Sequence, residues 1–294
     1  MRYGFLVPLT IAGLLAGSAV ATAAPGFREY VALGDSWSAD STLMLTRIST
    51  EGVPLGCGQS IGNYPKQVAK ALHVKEFRDA TCGAASTVEL TNPQSVPLGG
   101  TNPPQFDRLS PSTDLVTLGI GGNDVGLAGA ITGCLRLLPL WPCRDSWVSG
   151  GTDLMSQQIH AAEPLVAAAI DGIRVRAPHA KILLVDYLQA VPETGCWPFV
   201  PITNTDIAWL RAKLAEFNTM LRQVAKAERV RLVETYSSSA GHDFCRLPGT
   251  NWVEGLLPLT TSPLGLAAPF HPNQRGADHQ ARRVLAALGI RSAA

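Results

Sequence analysis

Four short segments carry side chains suited to acyl transfer. They are Gly34-Asp35-Ser36-Trp37-Ser38, Thr81-Cys82-Gly83-Ala84, Gly119-Ile120-Gly121-Gly122-Asn123-Asp124 and Pro269-Phe270-His271-Pro272-Asn273. Together they offer a hydroxyl, a glycine amide, a carboxamide and an imidazole: a nucleophile, oxyanion donors and a base. Singly each is weak. Gly-Asp-Ser is a common turn sequence. It is not the Gly-x-Ser-x-Gly elbow, because Ser38 stands where that motif needs glycine. The glycine-rich segment fails the dinucleotide fingerprint, whose third glycine falls at Asp124. His73, His160, His179, His242 and His279 lack a comparable context and read as structural or solvent-facing.

What gives the four segments weight is where they fall. Tyr30-Val31-Ala32-Leu33 is a continuous apolar run of the kind a buried parallel strand needs. Asp114–Ile120, Lys181–Asp186 and Arg229–Glu234 read as further strands, and Val74–Arg78 as a weaker one. Helical patterns alternate with them. One begins at Asn63, with Tyr64, Val68 and Leu72 on one face. Others run over about 152–176, broken or kinked near Glu163 by Pro164, over 206–227 after a cap at Asn204 or Thr205, and over about 273–288. Such alternation implies a parallel sheet with helices on both faces, and ligands then bind beyond the carboxyl ends of the strands. The chemistry-bearing segments follow strands or precede the last helix, so they share one rim. No linker or repeat divides the chain, so residues 25–294 are expected to form a single domain with long surface connections.

The chain has 294 residues, with 24 Lys+Arg against 23 Asp+Glu. Near-neutrality argues against a nucleic-acid partner, which calls for a basic surface. Residues 1–24 read as a secretory signal peptide. Arg2 precedes an apolar stretch that ends in small residues, with cleavage sites after Ala21 and Ala23. No later segment reads as membrane-spanning, so the mature chain is expected to be secreted, without stable membrane insertion, and to act as a monomer. Secretion favours disulfides for the six cysteines, which show no zinc-binding spacing. Short loops suggest Cys57–Cys82, Cys134–Cys143 and Cys196–Cys245.

The order Gly34-Asp35-Ser36, Gly83, Gly121-x-Asn123-Asp124, His271 resembles the SGNH hydrolase superfamily, the GDSL-type esterases and lipases. The six cysteines and His271-Pro272-Asn273 resemble its secreted actinobacterial lipase/esterase branch. The resemblance covers the chain after the signal peptide. It implies a flavodoxin-like three-layer α/β/α fold with a five-stranded parallel sheet, and hydrolysis of small-molecule or lipid esters without metal or organic cofactor. It further implies Ser36 as nucleophile, His271 as base, and an oxyanion hole from the amides of Ser36 and Gly83 and the side chain of Asn123.

The chain departs from the family at one place. The usual orienting acid lies three residues before the histidine, and here that residue is Ala268. The resemblance then points to the backbone carbonyl of Ala268 as third member; Glu254 is the nearest upstream acid. Apolar and aromatic residues in 188–203 and 235–272 either line an acyl-binding cleft or form satellite cores around Cys196 and Cys245. A carbohydrate deacetylase on the same fold and a non-catalytic envelope-binding protein are the alternatives.

Overall fold

Five of the apolar runs become strands of one sheet. The computed structural model describes residues 1, 4, 26–136, 138, 141–260 and 266–290. Apart from residues 1 and 4, the expected signal peptide lies outside the described residues. The strands are β1 (Glu29–Gly34), β2 (Glu76–Asp79), β3 (Leu115–Gly119), β4 (Lys181–Val185) and β5 (Arg231–Val233). They pair in the order β2-β1-β3-β4-β5, all parallel, with Gly34 opposite Gly119 where β1 meets β3. That is the flavodoxin-like order, whose topological switch point lies between β1 and β3.

The two-residue period of the strands splits the core. Val31, Leu33, Val116, Leu118, Ile182 and Leu184 face one side, where they join α4 (Leu154–Arg176) and α5 (Asn204–Ala227). Tyr30, Ala32, Leu115, Leu183, Val185 and Val233 face the other, against α2 (Tyr64–Leu72) and α6 (Gln274–Ala287). β3 is buried along its whole length, which is why it reads as a continuous apolar run rather than an alternating one. Its one polar side chain, Thr117, shares a 2.7 Å hydrogen bond with the Tyr30 hydroxyl.

Three helices differ from the sequence expectation. Helix α4 passes through Pro164 without interruption. Proline removes one amide donor, but Pro164 and His160, whose carbonyl loses its partner, both lie on the exposed face. A carbonyl on that face is open to solvent, so losing its helical donor costs little, while Ile159, Ala162, Val166 and Ala169 hold the buried face. Helix α5 is capped by Thr203, whose side chain accepts from the Asp206 amide, rather than by Asn204 or Thr205. Helix α3 (Leu127–Cys134) was not expected, since its small residues and two glycines give it no strong apolar periodicity.

Disulfides join Cys57 to Cys82, Cys134 to Cys143 and Cys196 to Cys245. The first closes a separation of 25 residues beside the carboxyl ends of β1 and β2. By loop-closure entropy it stabilises the fold by about 3 kcal/mol. Replacing both Cys57 and Cys82 by alanine is expected to lower the unfolding free energy by about that amount in urea titration. A loss below about 1 kcal/mol would show that this loop is held by its hydrogen bonds instead.

Candidate active site

The nucleophile turn forms directly off the end of β1. Gly34 has φ +153°, and a Cβ there would lie 2.5 Å from the Gly119 carbonyl oxygen, so only glycine fits. Asp35 follows as N-cap, its Oδ1 accepting from the Trp37 amide at 2.9 Å. The four-residue helix α1 (Ser36–Ala39) therefore begins with Ser36. From the far end of the chain comes His271, whose Nε2 lies 2.8 Å from Ser36 Oγ. Its Nδ1 lies 2.8 Å from the Pro269 carbonyl. A carbonyl can only accept, so Nδ1 carries the proton and Nε2 is free to accept from the Ser36 hydroxyl.

The carbonyl expected at the ring was that of Ala268; the structure puts Pro269 there. Ala268 is occupied otherwise, its carbonyl accepting the backbone amide of His271 at 3.1 Å. The turn that brings the imidazole back over its own backbone uses both carbonyls, and only Pro269 faces the side chain. Glu254 does not serve the histidine either. Its carboxylate accepts from Asn273 Nδ2 at 3.0 Å and from the Leu259 amide at 3.1 Å. Its main chain pairs with the His271 segment, donating to the His271 carbonyl and accepting from the Phe270 amide.

Asn123 stands beyond β3. Its Nδ2 donates to the Ala85 carbonyl at 2.8 Å, which fixes the amide plane and leaves one N–H over. Asp124 ties the same two loops, accepting from the amide and hydroxyl of Thr87. Gly83 differs from expectation. Its N–H donates to the Cys57 carbonyl at 2.8 Å, so it is not open to a ligand. A Cβ at Gly83 would lie 2.9 Å from that same oxygen, so close packing there explains the glycine. The next amide is the open one. Gln94 Nε2 donates to the Gly83 carbonyl at 2.7 Å, and in a trans peptide the Ala84 N–H points the opposite way. Ala84 has φ +62°, its N–H has no acceptor among the described residues, and it lines the same cleft as Ser36 and Asn123.

One residue of the site carried no sequence signal. Tyr187, just beyond β4, donates its hydroxyl to the Asp35 carboxylate and accepts from the Gly122 amide at 3.0 Å. It thereby joins the nucleophile turn to the loop of Asn123. Burial and the adjacent Asp35 hold its pKa well above the ordinary tyrosine value, so the phenol stays protonated. Burial pushes Asp35 up to about 7, against the bonds from Tyr187, Trp37 and Ser38. Burial also lowers the pKa of His271, and the Pro269 bond offsets this only in part. The remaining histidines lie away from the site among the described residues; His242 and His279 sandwich the Trp252 ring.

Two outcomes follow. His271 must be neutral to accept a proton, and its pKa is lowered, so activity falls on acidification only through a pKa below 6.5. A pH profile of kcat/KM whose acid limb lies above that value would contradict the buried, carbonyl-bound imidazole. Tyr187→Phe leaves a buried carboxylate and a buried amide each short of a partner. Denaturant titration should show a loss of about 1–3 kcal/mol.

The profile of the GDSL-like Lipase/Acylhydrolase family matches residues 32–279. Lipase 2 of Streptomyces coelicolor is 35% identical over 272 residues, 89% of this chain and 86% of that protein. An esterase of Streptomyces scabiei is 27% identical, covering 94% of this chain and 92% of its own. In fold, the extracellular lipase of Streptomyces rimosus superposes with a TM-score of 0.66 at 22% identity, over 88% of this chain and 99% of that one. Phospholipase A1 of Streptomyces albidoflavus gives 0.64 at 22% identity, over 90% and 98%. The match runs from within β1 to within α6 and so takes in every strand and all four site segments: the chain belongs to the GDSL-like lipase/acylhydrolase family and is an ester-cleaving hydrolase.

Proposed function

We propose that hydrolysis proceeds through an acyl-enzyme on Ser36. The observation that carries this reading is the 2.8 Å contact of Ser36 Oγ with His271 Nε2, on a ring whose tautomer the Pro269 carbonyl fixes. Ser36 Oγ attacks the ester carbonyl carbon as its proton passes to Nε2. The developing oxyanion accepts from the amides of Ser36 and Ala84 and from Asn123 Nδ2. When the tetrahedral intermediate collapses, the C–O bond to the alcohol breaks and Nε2 returns the proton to the departing oxygen. Water then attacks the acyl carbon, gives a proton to Nε2, and Ser36 Oγ leaves and takes that proton back. A carbonyl orients the imidazole but cannot offset imidazolium charge as a carboxylate would, so the oxyanion donors carry more of the stabilisation.

The chain is read as a secreted monomer. The leader-like N-terminal sequence, the three disulfides and the extracellular source of the Streptomyces rimosus lipase support secretion. Nucleophile, base and oxyanion donors all come from one chain, so a single copy carries every group the reaction needs. Among the described residues no helix is long and apolar enough to cross a membrane.

The test is turnover of nitrophenyl esters by purified protein. Ser36→Ala is expected to lose at least about a thousandfold in kcat. Asn123→Ala should lose about a hundredfold to a thousandfold. Glu254→Gln should lose far less than either, because its carboxylate faces Asn273 rather than the imidazole. Comparable loss in Glu254→Gln and Ser36→Ala, or turnover retained in Ser36→Ala, would overturn the assignment.

A further inference from the structure

Two unequal apolar spaces meet at Ser36. Resting on the acyl-enzyme reading above, we infer from their shapes that the enclosed one takes the acyl chain and the open one the alcohol, so that the substrates are medium-chain esters of bulky apolar alcohols. The more enclosed space is a cleft of about 130 Å³ that runs inward between α3 and α5, past Trp37 and Tyr187, to Val191, Leu210 and Leu214. The other is a groove of about 400 Å³ that runs outward over Cys57, Gly58 and Ala84. Leu43, Leu45, Leu55 and Leu98 flank it, exposed at 58%, 65%, 39% and 79%. Ser36, Asn123, Ala128 and His271 belong to both.

The order of events decides which half of the ester goes where. After the first step the acyl part stays covalently attached, while the alcohol leaves and water must reach the acyl carbon beside His271. The narrower and more enclosed space suits the part that remains, and the wider, more open one suits the part that departs and is replaced by water. The reverse seating would force the alcohol out past the attached acyl chain. The more enclosed cleft also suits a hydrocarbon. Its one carboxylate, Asp35, is already engaged by Tyr187 and the Trp37 amide, and Leu210, Leu214 and Val191 are all buried.

Size sets the chain length. A dry cavity of about 150 Å³ holds benzene, so this one accommodates about six carbons. Longer chains must turn out across α3, where Thr132 is exposed. The groove sets no comparable limit, and its uncovered leucines match an alcohol that itself carries an apolar chain.

The experiment is a nitrophenyl ester series from acetate to palmitate, with Leu214→Ala, Thr132→Trp and Leu98→Trp beside the parent protein. The parent optimum is expected at about six carbons. Leu214→Ala enlarges the cavity and should move the optimum to longer chains. Thr132→Trp closes its lip and should lower the hexanoate-to-acetate ratio of kcat/KM by at least about tenfold. Because Thr132 is exposed, this variant tests the cavity even if Leu214→Ala fails to fold. Leu98→Trp should leave that ratio unchanged and instead discriminate between small and bulky alcohols of one acyl chain. A parent optimum at palmitate, or an acyl ratio that responds to Leu98→Trp and not to Thr132→Trp, would overturn the seating. Phosphonate labelling of Ser36 without dependence on acyl length would overturn the seating alone. Failure of Ser36 to label, with no ester turned over, would overturn the acyl-enzyme reading and the seating with it.

Discussion

The site depends on one hydrogen bond between residues 235 positions apart, Ser36 Oγ to His271 Nε2. Misplacing such a pair by 1 Å can cost about a hundredfold in rate, so the two ends of the chain must be held to a fraction of an ångström. Neither a strand pair of the central sheet nor a disulfide does this directly. The segment before the histidine is laced to the residues that follow the nucleophile helix. The Leu43 amide donates to the Leu266 carbonyl and the Ala268 amide to the Ser41 carbonyl, both at 2.7 Å, around the Thr42–Ala267 bridge. On its other flank His271 pairs with Glu254, and Asn273 with Trp252. The histidine loop is thus an irregular strand held on both sides, one side being the nucleophile's own continuation.

This lacing gives Glu254 and Asn273 their importance. Asn273 caps α6 through its Oδ1, while its Nδ2 reaches the Glu254 carboxylate, the Asn251 carbonyl and the Thr260 hydroxyl. All of these groups are buried, so each bond forgone would leave a polar atom without water. The Glu254 carboxylate therefore acts as a structural tie, and the imidazole is left with the Pro269 carbonyl. That exchange has a chemical consequence. A carboxylate partner would raise the basicity of the ring, whereas burial beside a neutral carbonyl lowers it. The base remains unprotonated into more acidic solution, and it gains less when it must carry a proton in the transition state.

The oxyanion side follows the same logic of distant partners setting local directions. Gln94 grips the Gly83 carbonyl, Cys57 accepts the Gly83 amide, and between them the Ala84 amide is turned outward. Tyr187 links the Asp35 cap to the amide preceding Asn123. Asp124 and Thr87 fasten the two oxyanion loops to each other. Donors arranged in this way need little reorganisation as charge develops, which is the property an oxyanion hole requires.

The difference between what the sequence made legible and what it did not has one cause. The sheet and its flanking helices were readable because burial imposes a period: β3 is apolar throughout, and α2 repeats its buried residues at helical spacing below an asparagine cap. Ser36, Asn123 and His271 were readable because a hydroxyl, a carboxamide and an imidazole announce their chemistry by type. A backbone group announces nothing. Choosing between the amides of Gly83 and Ala84, or between the carbonyls of Ala268 and Pro269, means knowing which way a peptide plane faces. That direction is set by Gln94 and Cys57 in one case and by the lacing to Ser41 and Glu254 in the other. Glycine was a misleading guide for the same reason: Gly83 is small to admit a neighbouring carbonyl, while the residue in the left-handed conformation is an alanine. Where catalysis is built from main-chain donors, the informative residues are the buried side chains that orient the peptide.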